Sequence, residues 1–166
     1  MIESYYNQIK MKENLRENMI DLRAALKQES KLEDWVKPEW DHQIFIDLLS
    51  SKDPKVRKNA ALILGELEVE QALEPLFASY MQEETMYIRA DYLEAISRLD
   101  YMPIFPQLKQ NYDELLLADV LDDAKKHYYE EMQILQKMIL DREPRQKPKF
   151  TEVSEPVQVL VTTNRN

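Results

Sequence analysis

Two segments of this chain carry the same pattern of residues, 32 positions apart. Residues 53–67 read DPKVRKNAALILGEL, and residues 85–99 read TMYIRADYLEAISRL. A fixed period of this length is typical of stacked helical pairs, in which each pair buries its apolar face against the next. The chain is therefore expected to be built from repeated helix pairs. The matched residues are Val56 with Ile88, Arg57 with Arg89, Ala61 with Leu93, Leu64 with Ile96, and Leu67 with Leu99.

The composition predicts the same fold class. The 166 residues include one glycine and eight prolines. Such a chain favours helix and lacks the turn residues that antiparallel sheets need, so we expect an all-α fold. There is no cysteine, which excludes disulfides, thiolate metal sites and a cysteine nucleophile.

The charge of the chain limits its partners. The formal net charge is −9 and the sequence pI is about 4.8. An acidic surface repels phosphate backbones, so nucleic acid is not expected as a partner of the helical domain, although a local basic patch is compatible with this charge. No apolar run approaches the roughly 20 residues of a membrane span. The first residues resemble no secretory signal, so a cytoplasmic protein is expected.

The first helical block is predicted over residues 4–28, as one helix or two, with Ser4 as its N-cap. A connection follows over residues 28–39. Trp35 and Trp40 are predicted to cover the end of the helical stack. The alternative is that they anchor a partner.

The first clear repeat begins with a helix over residues 40–49. A second helix is predicted to start at Asp53 and Pro54, an acceptor at the N-cap followed by proline at the first helical position, and to run through Leu67. Gly65, near its end, is predicted to permit close packing between helices. The residues expected to face inward from the first helix are Ile44, Leu48 and Leu49.

The second repeat is predicted from residue 71, with Thr85 as the capping residue of its second helix. A less regular third pair follows. Its last helix is predicted to start near Leu116 or Asp119 and to end at Leu140. The expected inner stripe of that helix is Val120, Ala124, Tyr128, Met132, Leu135 and Ile139.

Composition changes after Asp141. Residues 142–156 are locally basic, contain three prolines and are predicted to be a linker. Residues 157–163, VQVLVTT, read as a strand. The predicted organisation is therefore a helical domain over 1–141, a linker over 142–156, and either the start of a following domain or a docking tail over 157–166.

The run D-P-x-V-R-x-x-A-A-x-x-L-G-x-L at 53–67 resembles the second helix of HEAT-like repeats, in the form found in phycobilisome lyases. The resemblance covers residues 40–100 well and 100–141 loosely. It implies a right-handed α-solenoid of antiparallel helix pairs, a fold used chiefly to hold other macromolecules. It also implies a structural ladder between an aspartate before each second helix and an arginine inside it. Asp53, Arg57 and Arg89 match this pattern, and Thr85 departs from it.

No residue pattern specifies chemistry. His42 and His127 lie far apart with no metal-ligand spacing around them. Asp119, Asp122 and Asp123 stand at a predicted helix start, where negative charge is favourable in any case. Phosphate-loop, nucleophile-elbow and Glu-x-x-His patterns do not occur. We therefore predict no catalytic, cofactor or metal site.

The better candidate is the outward face of the second helices, which lines the concave side in the family that the chain resembles. Mixed charge with one tyrosine suits a protein or peptide partner better than a polyanion. The alternative is an ordinary solvated surface. The residues that helical spacing places there are Lys55, Asn59, Leu62, Glu66, Tyr87, Asp91, Glu94 and Arg98.

The sequence thus favours a non-catalytic interaction scaffold. The alternative is an N-terminal accessory domain of a larger enzyme, because residues 150–166 resemble the join to the catalytic part of some bacterial nucleic-acid methyltransferases. A DNA-glycosylase-like enzyme of the HEAT type would need a basic, aromatic-lined face, which Asp91 and Glu94 do not fit.

Overall fold

A computed structural model describes residues 1–117 and 123–141, and the predicted linker and strand lie outside these ranges. The all-α prediction is confirmed for the described residues, which contain no β-strand. Single 3-10 turns at Glu70–Ala72 and Met102–Ile104 lead into the fifth and seventh helices. The helices are α1 (Ile2–Lys10), α2 (Leu15–Glu29), α3 (Gln43–Leu48), α4 (Pro54–Glu66), α5 (Leu73–Gln82), α6 (Met86–Ser97), α7 (Phe105–Leu117) and α8 (Asp123–Asp141).

The helices contact one another in a regular order. Each odd-numbered helix packs against the even-numbered helix that follows it. The even-numbered helices also pack in series, α2 against α4, α4 against α6, and α6 against α8. One hydrophobic core runs through these contacts. All eight apolar residues matched by the 32-residue repeat belong to it, each with 3% exposure or less, which confirms their predicted burial.

The first helical block consists of two helices, α1 and α2. Lys12 and Asn14, between them, adopt left-handed backbone conformations with φ of 59° and 43°. An α-helix of L-residues does not continue through such positions. Asn18 stabilises the turn, because its Nδ2 donates to Gln8 Oε1 at 3.0 Å and to the carbonyl oxygen of Glu13 at 2.7 Å.

The prediction of Ser4 as the N-cap of the first helix is wrong. α1 begins at Ile2, and its N-cap is Met1. The backbone amides of Ser4 and Tyr5 both donate to the carbonyl oxygen of Met1, so Ser4 already lies within the first turn.

Trp40 is a packing residue. Its ring stacks on Tyr6 of α1, with centroids 4.4 Å apart and planes 3° apart. Its Nε1 donates to Glu3 Oε2 at 2.6 Å. Trp35 is half-buried and packs against the same core. The packing interpretation of this aromatic pair is therefore favoured.

The helix predicted over residues 40–49 is shorter in the structure. α3 starts at Gln43, since Trp40 is engaged with α1 outside the helix. Phe45 is its fully buried residue, while Ile44 and Leu48 are half-buried. Leu49, just after α3, is buried as predicted.

The starts of α4 and α6 differ in how they are capped. Asp53 Oδ1 accepts from the amide of Lys55 at 2.9 Å, and Pro54 opens α4, so the predicted cap is confirmed. Thr85 occupies the N-cap position of α6, but its side chain makes no capping hydrogen bond. Instead, Glu83 Oε2 accepts from the amide of Thr85 at 3.2 Å.

The third pair is joined to α5 by buried polar groups that the sequence did not reveal. The hydroxyl oxygen of Tyr80 lies 2.6 Å from Asn111 Oδ1 on α7 and 3.0 Å from Gln136 Oε1 on α8. Gln136 Nε2 donates to the carbonyl oxygen of Leu108 at 3.2 Å. Gln136 is fully buried, and its amide lies between the Tyr80 hydroxyl and the carbonyl oxygen of Leu108.

Of the two starts predicted for the last helix, Leu116 is wrong because it belongs to α7, and Asp119 lies outside the described residues. Met132 and Ile139 are buried as predicted, and Leu135 is half-buried. The other predicted positions of this stripe fall on residues or side chains outside those described. Among the helices described, none combines the length and apolar character needed to cross a membrane.

Gly65 allows α4 and α6 to approach closely, as predicted. A Cβ atom at this position would lie 2.9 Å from Ala95 Cα and 3.1 Å from Ala95 Cβ. The first of these neighbours is backbone, which no change of rotamer can move. The two helices can therefore keep this separation only with glycine at position 65.

We predict that Gly65→Ala destabilises the protein by roughly 1–3 kcal/mol, because overpacking outweighs the helix propensity gained. The free energy of unfolding by urea measures the effect. The control is Ala24→Gly at an exposed position of α2. It should lower the free energy of unfolding by about 1 kcal/mol through the loss of helix propensity alone. A more stable Gly65→Ala variant would contradict the close approach of the two helices.

Candidate functional site

The eight predicted surface residues lie on two helices that pack against each other. Lys55, Asn59, Leu62 and Glu66 belong to α4, three of the others belong to α6, and Arg98 follows the last residue of α6. The prediction of an outward position is wrong for Asn59 and Leu62, which are only 5% and 6% exposed. α4 contacts α2, α3 and α6, so three neighbours enclose it and leave only a narrow outer strip. Asn59 Nδ2 is used within α4, donating to the carbonyl oxygen of Lys55 at 2.8 Å.

The remaining six residues are exposed or half-buried. Two further cations, Arg23 on α2 and Lys58 on α4, act on Asp91 in the same region. We refer to these residues together as the charged face. The charged face consists of Arg23, Lys55, Lys58, Glu66, Tyr87, Asp91, Glu94 and Arg98.

One edge of the charged face is a chain of polar contacts across three helices. Ser30 Oγ, at the end of α2, donates to Glu66 Oε1 on α4. Arg98, just after α6, has its Nη1 3.8 Å from Glu66 Oε2 and its Nη2 3.5 Å from Glu94 Oε2. The contacts of Arg98 are longer than hydrogen bonds. Its guanidinium is therefore held only loosely.

Asp91 is the most perturbed group of the charged face. Its side chain is 21% exposed, and Lys58 Nζ lies 4.0 Å from its Oδ2. Burial raises the pKa of Asp91 to about 6, with Lys58, Arg23 and Lys55 acting against this rise and Glu94 adding to it. A carboxylate that is partly removed from water beside several cations, but without a short contact to Lys58, is poorly stabilised in its charged form.

Tyr87 gives the charged face an aromatic surface. Its side chain is 41% exposed, at the N-terminal end of α6. Lys58 Nζ lies 5.9 Å from the centroid of its ring, within the range of a cation–π contact. Lys58 thus lies between the tyrosine ring and Asp91.

Sequence reasoning missed Arg23 and Lys58. Lys58 immediately precedes Asn59, and a small rotation of the assumed helical face would have included it. Arg23 belongs to the N-terminal block, which lies outside the 32-residue repeat. Only the packing of α2 against α4 indicates that it belongs to this region.

A second cluster, of polar side chains around Glu83, lies next to the turns that precede α4 and α6. Glu83 is 8% exposed and accepts from Arg57 through both carboxylate oxygens, each at 3.0 Å. The hydroxyl of Tyr92 donates to Glu83 Oε1 at 3.1 Å. Burial opposes ionisation, but the hydrogen bonds from Arg57, the amide of Thr85 and Tyr92 hold the pKa of Glu83 below its usual value.

The arginine ladder implied by the resemblance occurs with different partners. Asp53 pairs with Arg16 of α2, whose Nε donates at 2.9 Å. Arg57 pairs with Glu83, two residues before the position where the pattern would place an aspartate. Arg89 Nη1 donates to the carbonyl oxygen of Glu83 at 3.2 Å, and its guanidinium lies over the ring of Tyr80. The structural interpretation of Arg57 and Arg89 agrees with these contacts.

An open groove of about 480 Å³ lies above this cluster, between the turns at 49–52 and 82–85. The residues that line it include Ser51, Ser79, Gln82, Glu83 and Tyr92. The Glu83 carboxylate is already used by three donors from the fold itself. The groove is therefore a weaker candidate than the charged face.

The other polar residues singled out from the sequence do not assemble. His42 is half-buried at the N-cap of α3. The side chains of His127 and Asp123, and residues 119 and 122 entirely, are outside those described. No group of three His, Asp or Glu residues with metal-binding geometry occurs within residues 1–117 and 123–141 where side chains are described.

The chain matches no protein-family model, no curated protein and no solved structure.

We predict that Glu83→Gln destabilises the protein by roughly 3 kcal/mol near neutral pH, because it leaves the partly buried Arg57 without its counter-charge. Since the folded-state pKa of Glu83 is lowered, its ionisation stabilises the fold above the usual glutamate pKa. The difference in the free energy of unfolding between the variant and the original protein should therefore become smaller as the pH falls below about 4. Denaturant unfolding at several pH values measures it. Asp113→Asn, in an exposed pair with Lys109, is the matched control and should cost less than about 1 kcal/mol.

We predict the opposite effect for Asp91→Asn. The folded-state pKa of about 6 exceeds the usual aspartate value, so the folded protein binds this proton more tightly than the unfolded chain does. Stability therefore falls as the pH rises from about 4 to about 6. At pH 7.5 the variant should be more stable by on the order of 1 kcal/mol, and this gain should vanish near pH 4. A destabilised variant at pH 7.5 would show that ionised Asp91 supports the fold.

Proposed function

We propose that this protein is a non-catalytic scaffold, built from HEAT-like repeats, that binds another protein through its charged face. The observation that carries the proposal is the convergence of Arg23, Lys58 and Asp91 from three helices that pack in series. A row of helices offers a partner a surface wider than any single helix could provide.

The repeat architecture of the proposal rests on the order of contacts. Successive even-numbered helices pack together, and each also packs against the helix before it. The turn between α3 and α4 is short, which favours an antiparallel pair. The 32-residue period and the buried residues at matching positions support a solenoid in which each pair stacks on the next.

The polar residues differ in how closely they contact their partners, and this difference supports a binding role. Three buried polar residues are hydrogen-bonded within the fold, so their presence is accounted for by its stability. They are Glu83, Gln136 and Asn18. The charged face is different, because Lys58 and Arg98 reach their partners only at long distances. Loosely held charges beside an exposed tyrosine are suited to contacts with another molecule.

We predict that a photo-reactive phenylalanine analogue at position 87 gives discrete protein adducts in cells that naturally make this protein. The control position is Met81 on α5, which is 49% exposed. Adducts should form at position 87 and not at 81, and excess unmodified protein should suppress them. Identical adduct patterns at the two positions would mean that the charged face has no specific partner.

The same assay supplies a matched test of the side chains. Tyr87→Ala with Arg98→Ala should weaken capture of the identified partner about tenfold or more. Met81→Ala should leave capture unchanged. The free energy of unfolding should change by less than about 1 kcal/mol, because both side chains are on the surface. Loss of stability in place of capture would assign Tyr87 and Arg98 to packing.

A further inference from the structure

The charged face carries a local excess of positive charge on an acidic protein. Over the whole chain, 31 acidic residues outweigh 22 basic ones. Around Asp91 the balance is reversed, since Arg23, Lys55 and Lys58 all act on this one carboxylate. Glu94 is the other acidic group acting on Asp91, and its carboxylate faces Arg98.

The geometry leaves this positive charge incompletely neutralised. Lys58 Nζ stands 4.0 Å from Asp91, beyond hydrogen-bonding distance. Lys55 is exposed, and Arg23 is half-buried on the neighbouring helix. Three cations therefore act on one carboxylate, and its contact with Lys58 is long. A carboxylate of another molecule could therefore accept hydrogen bonds from these cations, which the fold itself uses only in part.

We propose that the charged face binds an acidic peptide segment of the partner protein. Its carboxylates would pair with Arg23, Lys55 and Lys58, and the ring of Tyr87 would pack against a neighbouring side chain of the peptide. This inference rests on the proposed function and specifies the chemistry of the partner.

Charge also limits how long the acidic ligand can be. Beside the three cations, the charged face also contains Glu66 and Glu94, and the protein as a whole is negative. A polyanion such as duplex DNA would extend past the cations and meet these carboxylates and the acidic remainder of the surface. A peptide with a few clustered Asp or Glu residues fits within the positive region.

Asp91 makes this binding dependent on pH. Below about pH 6 the side chain becomes protonated, which removes the negative charge that competes with the peptide. The groups that face it are Arg23 on α2, Lys55 and Lys58 on α4, and Glu94 on α6. Acidic peptides should therefore bind more tightly at pH 5.5 than at pH 7.5.

The test is a selection from an unbiased library of displayed 12-residue peptides on the immobilised full chain. We expect the selected peptides to be enriched in Asp and Glu. A selected peptide should bind the variant Lys55→Gln with Lys58→Gln about tenfold more weakly. The control is Lys10→Gln with Lys109→Gln, which removes the same charge from α1 and α7 and should leave binding unchanged. Asp91→Asn should bind tightly at both pH values, with the pH dependence lost.

Several results would overturn the inference. These are enrichment of basic or uncharged peptides, equal binding by the two double variants, or no enrichment at all. A 20-base-pair duplex that displaces the peptide, with steep salt dependence, would identify a nucleic acid as the ligand instead. Failure of the acidic-peptide test while position 87 still gives discrete adducts would refute only the acidic chemistry. Failure of both tests would refute the scaffold as well.

Discussion

The packing of α4 against α6 is the contact on which the rest of this structure depends. It is fixed at both ends of α4 by different physical means. Near the start, Arg57 reaches the Glu83 carboxylate just before α6, with two hydrogen bonds of 3.0 Å. Near the end, Gly65 lets the backbone of Ala95 approach to a distance that any Cβ would prevent. Together they set the spacing and the register of the two helices, and Lys58 meets Asp91 only because of that register.

Two carboxylates near the contact of α4 with α6, those of Glu83 and Asp91, differ in how well the fold stabilises their negative charge. Glu83 is buried but fully hydrogen-bonded, so its charge supports the fold and its pKa is lowered. Asp91 is partly buried without a short contact to Lys58, so its charge is disfavoured and its pKa is raised. Proteins commonly retain such poorly stabilised groups where function requires them. This contrast between two carboxylates near the same helix contact is one observation that supports the proposed binding role of the charged face.

Local sequence predicted the helices and the core well, because both follow from short-range spacing. The cap formed by Asp53 and Pro54, the close contact of Gly65, and the burial of all eight matched apolar residues were predicted from residue type and period. Predictions failed where a residue's role depends on a distant neighbour. Thr85 occupies the predicted N-cap position, but its side chain makes no capping hydrogen bond, and Glu83 binds its amide instead. Asn59 and Leu62 looked exposed, but the helices around α4 enclose them.

By itself, the sequence determined that the described chain is helical, that the matched apolar residues are buried, and that Gly65 permits close packing between helices. Periodicity and steric size carry this information, and both can be read from neighbouring residues. Only the tertiary structure decided which charges meet. Arg16 pairs with Asp53, Arg57 with Glu83, and Arg23 acts on Asp91 across packed helices. These partners are separated by 26 to 68 positions, so no local pattern encodes them, and helix packing alone brings them together.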